Sequence, residues 1–135
     1  MSILRAHHLA LILTAIIQWF IGAIWYSPVL FGRPWLARAD KSHATKEGNE
    51  IPGIIAFGVV CLIVSYVILY FLRLTGEAGL AHGGFMGLML WAGFVAAPLF
   101  ALYINERRSF RHYFINAGYW LVALIVGGAV LGRLR

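Results

Sequence analysis

Residues 9–31 read LALILTAIIQWFIGAIWYSPVLF, a stretch without charge in which Thr14, Gln18 and Ser27 are the clearly polar residues. A helix needs about 20 apolar residues to cross roughly 30 Å of hydrocarbon. The stretch is therefore long enough to span a membrane. It lacks a small-residue cleavage site after its bulky aromatic residues, so we interpret it as a retained helix and not as a signal peptide.

Three further stretches share this composition. They cover residues 51–72, 78–104 and 113–132, and none contains Asp, Glu, Lys or Arg. Backbone groups in lipid must bond within their own segment, and the alternation expected of a membrane β-strand is missing. The sequence predicts an all-α fold, a four-transmembrane-helix bundle that forms a single integral membrane domain over residues 1–135.

The composition of the whole chain supports this class of protein. Of its 135 residues, 61% are hydrophobic and 12% are charged, with a mean hydropathy of +0.82. An ordinary soluble domain carries about 25% charged residues. The net charge of +6 comes from residues outside the four stretches, where they set topology and contact lipid headgroups. We therefore expect no soluble enzyme, no disordered tail and no nucleic-acid partner.

The basic residues of the connections predict an orientation. Seven lie in the loops 32–50 and 105–112, and four lie on the side of the two termini. The positive-inside rule then places these loops in the cytoplasm and both termini outside, with a dual-topology dimer as the alternative. Within the first loop, residues 34–38 are predicted to form a short interfacial helix anchored by Trp35.

Glycines at four-residue spacing are expected to pack the helices. Membrane helices associate through close contact, and small residues let two backbones approach each other. The third stretch has Gly79, Gly83 and Gly87, and the fourth has Gly128 and Gly132. We interpret both sets as helix-packing faces, and a homo-oligomer interface on one of them is the alternative.

A proline lies inside the third stretch. Pro98 removes the hydrogen bond to the carbonyl of Phe94, which predicts a kink. Residues 93–100 also faintly resemble residues 22–31. If this similarity reflects a repeat, the protein consists of two tandem helical hairpins.

Polar residues follow one face of the first helix. Thr14, Gln18 and Gly22 are spaced four residues apart, and Trp25 follows three residues later. Because a polar stripe is unfavourable in lipid, it should point into the bundle.

Aromatic and polar residues collect on the side of the first and third loops, in a region that we call the vestibule. Its candidate ligand-binding residues are Trp25, Tyr26, Ser27, Phe31, Trp35, Glu106, Arg107, Asn116 and Tyr119. Aromatic rings beside basic groups suit a lipid headgroup or another amphipathic anion. An ordinary interfacial aromatic belt is the structural alternative.

Two vestibule residues have simple structural interpretations. Asn116 is expected to hydrogen-bond to Ser27 or to the backbone near Pro28. Glu106 precedes two arginines, and an interfacial ion pair is its expected role.

Three histidines precede or begin apolar stretches that run in the same direction. His7, His8 and His82 would then lie on one side of the bundle, where they are weak candidates for binding a metal ion or haem. Solvated interfacial histidines are commoner, so we predict neither a metal nor a cofactor.

The run WYSPVLFGRPW at residues 25–35 is unusual, and NER at 105–107 and NAGY at 116–119 accompany it. Together they resemble a bacterial family of small integral membrane proteins, catalogued as domain of unknown function seventeen-sixty-one. The resemblance extends over nearly the whole chain and implies a four-span, multi-pass protein of the bacterial inner membrane. It implies no activity, substrate or catalytic residue.

The four stretches lack the intramembrane charge of an ion-coupled antiporter, and no catalytic motif appears in the sequence. We therefore expect a non-enzymatic, oligomeric bundle whose vestibule binds membrane lipid or a small amphipathic ligand. A small channel or transporter with a pore along the glycine face of the third helix is the alternative. A haem or metal protein is a third hypothesis.

Overall fold

The structure is a computed structural model that describes residues 2–26, 51–76 and 78–134, with side chains from residue 7 onward. Within these ranges the regular elements are all helical. In chain order they are α1 (Ser2–Trp25), α2 (Ile51–Thr75), α3 (Leu80–Trp91), a π-helical turn (Ala92–Ala96), α4 (Ala97–Asn105) and α5 (Phe110–Leu134).

The π-helical turn joins α3 to α4 without a break, so the two form one continuous helix, Leu80–Asn105, which we call the third span. With α1, α2 and α5, the described part of the chain contains four helices long and apolar enough to cross a membrane. The predicted all-α, four-helix membrane bundle is confirmed.

The helix ends differ from the apolar stretches by a few residues. α1 begins at Ser2 and ends at Trp25, and the N–H of Tyr26 donates to the carbonyl of Gly22 at 3.0 Å. α2 extends to Thr75, and α5 begins at Phe110. Hydropathy marks the part of a helix that lies in lipid, whereas the helix itself continues into the interface.

The predicted continuation of the first helix to residue 31 lies outside the described residues, as does the loop 32–50 with its proposed interfacial helix.

A π-helical turn interrupts the third span close to Pro98, and the kink expected there stays a prediction. The turn Ala92–Ala96 comes immediately before α4, and Pro98 lies in the first turn of α4. A π-helical turn is one of the ways in which a helix accommodates a break in its usual hydrogen bonds. The residues that flank the turn, Trp91 and Ala97, keep right-handed helical backbone angles, so the span continues through it.

The third span and α5 make the closest helix contact through their glycines. A Cβ atom at Gly83 would overlap the carbonyl oxygen of Gly128, and one at Gly87 would overlap that of Leu124. Just before α3, the N–H of Gly79 donates to the carbonyl of Gly132 at 2.9 Å. The predicted glycine faces therefore pack against each other within one chain, at a separation that admits no side chain.

The apolar interior lies between α2, α5 and the third span. Ile68 and Leu72 of α2 are buried in it beside Leu124 and Leu131 of α5. The outward faces remain strongly apolar, with Phe94 75% exposed. A bundle in lipid has this pattern because its surroundings are as apolar as its core.

The contact between the glycine faces predicts that one added methyl group destabilises the bundle at Gly83 but not at a glycine outside the contact. Gly83→Ala should lower the free energy of unfolding by about 1–3 kcal/mol, the usual cost of overpacking, since the new methyl meets the carbonyl of Gly128. Unfolding of the purified protein in mixed micelles, titrated with SDS and followed by circular dichroism, measures the effect.

Gly93→Ala is the matched control, because a Cβ at Gly93 has no atom within 4 Å. Its unfolding midpoint should stay at the wild-type value. Equal midpoints for the two variants would contradict the close approach of the two backbones.

Candidate functional site

Polar side chains meet at the centre of the bundle, in a group that we call the central polar cluster. The Nε2 of Gln18 donates to the carbonyl of Ala123 at 2.9 Å, and its Oε1 accepts from Oγ of Ser65 at 3.0 Å. The hydroxyl of Tyr119 donates to the carbonyl of Gln18 at 2.8 Å and lies 3.8 Å from Sγ of Cys61. The cluster thus connects α1, α2 and α5.

The polar stripe of α1 points into the bundle, as its spacing predicts. Thr14 and Gln18 are both fully buried, and Gly22 is buried with them. Thr14 donates to the carbonyl of Ala10 at 2.7 Å, within its own helix. Gln18, in contrast, bonds through its side chain to two other helices.

Of the described vestibule residues, Tyr26 and Asn116 are joined by a hydrogen bond, and Trp25 and Asn116 also bond to neighbouring groups. The hydroxyl of Tyr26 donates to Oδ1 of Asn116 at 2.8 Å, and Nδ2 of Asn116 donates to the hydroxyl of Tyr103 at 2.7 Å. The indole N–H of Trp25 donates to the carbonyl of Ile115 at 2.9 Å. These side chains form a packed wall between α1, α4 and α5.

Asn116 bonds to two tyrosines, Tyr26 and Tyr103, which favours a structural role for its amide. Its predicted partners, Ser27 and the backbone near Pro28, lie outside the described residues, so those contacts stay a prediction.

Three exposed arginines lie in the turn between α4 and α5 and in the first turn of α5, and we call them the basic loop: Arg107, Arg108 and Arg111. Glu106 pairs with Arg108 at 2.6 Å, as expected of an interfacial carboxylate, and the Arg108 guanidinium lies 5.2 Å from the Tyr103 ring centroid. Arg107 has a φ of 55°. It closes α4 at a left-handed position that glycine usually fills.

An apolar groove opens between α2 and the third span, and we call it the mid-membrane groove. Its volume is about 350 Å³. It is lined by Val60, Val64, Phe94, Val95, Pro98, Leu99, Trp120 and Leu124.

The depth of the groove follows from the helix ends. Val60 lies nine residues after Ile51, where α2 begins, and Trp120 lies ten residues after Phe110, where α5 begins. At about 1.5 Å per residue, the groove is roughly 14 Å from the basic loop. This is close to half of a hydrocarbon core about 30 Å thick.

A smaller cavity of about 250 Å³ lies toward the opposite end of the bundle, and we call it the histidine–methionine cavity. It is lined by Leu72, Thr75, His82, Phe85, Met86 and Met89.

The three histidines singled out from the sequence have separate surroundings. His7 bonds to Arg73 of α2 through its Nδ1, whereas His82 lines the histidine–methionine cavity. His8 is exposed. Residues 2–26, 51–76 and 78–134 contain no group of three or more His, Cys, Asp and Glu that could hold a metal ion. His7, His8 and His82 thus do not form a common site.

Comparison with known proteins identifies a family. The sequence model described as "Protein of unknown function (DUF1761)" matches residues 9–132. The chain belongs to this family. The resemblance inferred from the sequence is therefore confirmed at the level of the family, and the description assigns no activity. No curated protein and no solved structure matches the chain.

Two further side chains in this DUF1761 chain, one in the third span and one in α5, donate hydrogen bonds to the backbone of another helix. The indole of Trp91 donates to the carbonyl of Ala117 at 2.8 Å, and the hydroxyl of Tyr113 donates to that of Ala96 at 2.8 Å. Tryptophan usually marks the membrane surface, so the position of Trp91 in the middle of a span indicates that its side chain has a partner inside the bundle.

The central polar cluster predicts that Gln18 contributes more to the free energy of unfolding than Thr14 does, although both side chains are buried. Gln18→Leu should lower the free energy of unfolding by about 1–2 kcal/mol, because bonds to two other helices are lost and their partners stay buried. SDS titration in mixed micelles, followed by circular dichroism, measures the loss.

Thr14→Val is the matched control on the same helix face, since Thr14 bonds within its own helix. Its unfolding midpoint should move much less. A loss at Thr14 equal to that at Gln18 would show that burial, and not bonding between helices, determines the cost.

Proposed function

We propose that this protein is a non-enzymatic, multi-pass protein of the bacterial inner membrane that binds an anionic lipid. The acyl chain would occupy the mid-membrane groove, and the headgroup would lie at the basic loop. The observation that carries the proposal is the groove itself, about 350 Å³ in volume and lined by apolar side chains.

The groove has properties that suit a hydrocarbon chain. Its volume falls in the range of ligand pockets, about 300–1,000 Å³. Phe94 on its rim is 75% exposed, so the groove opens toward the surroundings of the bundle, which are lipid at this depth. An acyl chain enters such a groove without crossing water, and it replaces the loose contacts of bulk lipid with those of fixed side chains.

The basic loop suits the headgroup of the same molecule. Arg107 and Arg111 are exposed, and each basic residue near an anionic surface contributes about 1 kcal/mol of attraction. The separation of roughly 14 Å between loop and groove follows from the helical rise, and it matches the length of chain within one leaflet.

The backbone at Arg107 gives independent support. A non-glycine residue in the left-handed region costs of order 1 kcal/mol or more, and such strain is concentrated at functional sites. An arginine occupies this position, with a φ of 55°, where glycine would relieve the strain. A role for its side chain in binding an anion accounts for that choice.

The lipid proposal places the ligand in the mid-membrane groove and at the basic loop, and no longer in the vestibule as a whole. Trp25, Tyr26 and Asn116 use their polar atoms for bonds within the chain. In this proposal they hold the helices together and do not contact the ligand. Arg107 remains the vestibule residue assigned to the ligand. A small amphipathic anion has the same chemistry as a lipid and would use the same groove and loop.

This proposal is preferred to a small channel or transporter because the residues assigned to a pore are occupied. The glycine face of the third span packs against α5, and both ends of the Gln18 amide are bonded to other helices. A pore would have to form between copies in a homo-oligomer. Flux across proteoliposomes would establish that alternative.

Filling the groove should displace the lipid. Val64 lines the groove and the adjacent Ile63 is 58% exposed on the outer face of α2, so Val64→Trp and Ile63→Trp form a matched pair. Native mass spectrometry of protein extracted gently from its own membrane should show a phospholipid adduct. We expect Val64→Trp to reduce the adduct several-fold and Ile63→Trp to leave it unchanged. A bare wild-type protein, or equal adducts in all three, would refute the proposal.

The substitution Arg107→Gly tests the headgroup contact, because it removes the side chain and also relieves the backbone strain at this position. Arg107→Gly should leave the fold at least as stable, because glycine adopts the left-handed position without strain. It should nevertheless weaken retention of phosphatidylglycerol in vesicle exchange and reduce the salt dependence of binding. Arg133→Gly is the control at the other end of α5. Unchanged retention in Arg107→Gly would place the headgroup elsewhere.

A further inference from the structure

Three side chains with soft or borderline donor atoms lie along one face of α3. His82, Met86 and Met89 follow at steps of four and three residues, the spacing of neighbours on a helix surface, and all three line the histidine–methionine cavity. We propose that this cavity binds a soft monovalent cation, Cu(I) or its analogue Ag(I), through the imidazole of His82 and the two thioethers. This site is independent of the lipid site.

The donor set determines the class of metal. Thioether sulfur is a soft ligand that selects Cu(I), and imidazole is a common copper ligand. Zinc sites use thiolate, imidazole and carboxylate, and magnesium and calcium use oxygen donors. Met86 and Met89 therefore point to copper in its reduced state, for which silver is a substitute of equal charge.

The charge of the cavity also favours a monovalent ion. Among the described residues, its lining contains neither a carboxylate nor a thiol. Neutral donors cannot offset the cost of moving a divalent cation out of water, which exceeds the cost for a single charge. A singly charged, weakly hydrated ion fits this environment best.

The end of α2 contributes a favourable field. Thr75 is the last residue of α2 and lines the cavity, so the carbonyl end of that helix lies beside it. This end carries about half a negative charge, which stabilises cations. Arg73 of the same turn bonds to His7 of α1 and keeps its positive charge, so it offsets part of this field. Phe85 lines the cavity with an aromatic ring, whose face attracts cations.

The depth of the donors suggests an entry path. His82 lies two residues after Leu80, the start of α3, and is therefore closest to the aqueous surface. Met86 and Met89 lie about 6 and 10 Å farther along the helix. A cation would meet the imidazole first and the thioethers next.

The test measures Cu(I) binding to the full chain in detergent. Cu(I), kept reduced by ascorbate, is titrated against a chromophoric Cu(I) chelator, and Zn(II) is titrated separately. We expect one Cu(I) per chain, no competition by equimolar Zn(II), and sulfur ligation in the X-ray absorption spectrum. Ag(I) should displace the bound Cu(I).

The decisive variant is Met86→Leu combined with Met89→Leu, which nearly preserves side-chain volume and should leave the fold intact. It should weaken Cu(I) binding at least tenfold, and His82→Ala should also weaken it. His8→Ala is the control, a histidine outside the cavity, and should bind as wild type. Absence of stoichiometric binding to wild type, or unchanged affinity in the double methionine variant with its fold verified by circular dichroism, would overturn the proposal.

Discussion

Side chains of two other spans donate hydrogen bonds to the backbone carbonyls of α5, from Trp25 and Gln18 of α1 and from Trp91 of the third span. Lipid supplies no hydrophobic force between helices, so such bonds and close contact must hold the bundle together. The carbonyls are accessible because α5 has small residues along its length. The same property lets Gly128 and Gly132 touch the backbone of the third span. α5 is thus the element on which the others assemble.

Much of the fold could be predicted because lipid imposes simple rules. Length and hydropathy identify four helices, and the spacing of Thr14 and Gln18 identifies the inward face of α1. Four-residue glycine spacing identifies the packing faces, but not whether they meet within one chain or between chains. That choice depends on which helices are neighbours, and Gly83 against Gly128 shows an intramolecular contact. Hydropathy also carries no information about the π-helical turn that precedes Pro98.

Less of the candidate site could be predicted. Of the vestibule residues, Tyr26 and Asn116 are joined by a hydrogen bond, whereas Ser27, Phe31 and Trp35 lie outside the described residues. Which side chains bond to each other depends on the positions of whole helices, which the sequence does not give. The two cavities lie where α2 and the third span are separated, and no residue type marks such a gap in sequence. Met86 and Met89 look like ordinary lipid-facing residues until the structure brings them to one cavity with His82. Composition therefore indicates the class of protein, while the spaces between its helices indicate where ligands would bind.

The π-helical turn has a consequence for chain length. Every fourth residue from Gly79 to Tyr103 faces α5 or the core. An α-helix overshoots by about 40° at each four-residue step, and it corrects the drift with occasional three-residue steps. The π-helical turn Ala92–Ala96 takes up one extra residue and so offsets part of this drift. A relative with one residue fewer there would regain an unbroken α-helix with both faces in place. It would lose the widened turn that borders the mid-membrane groove.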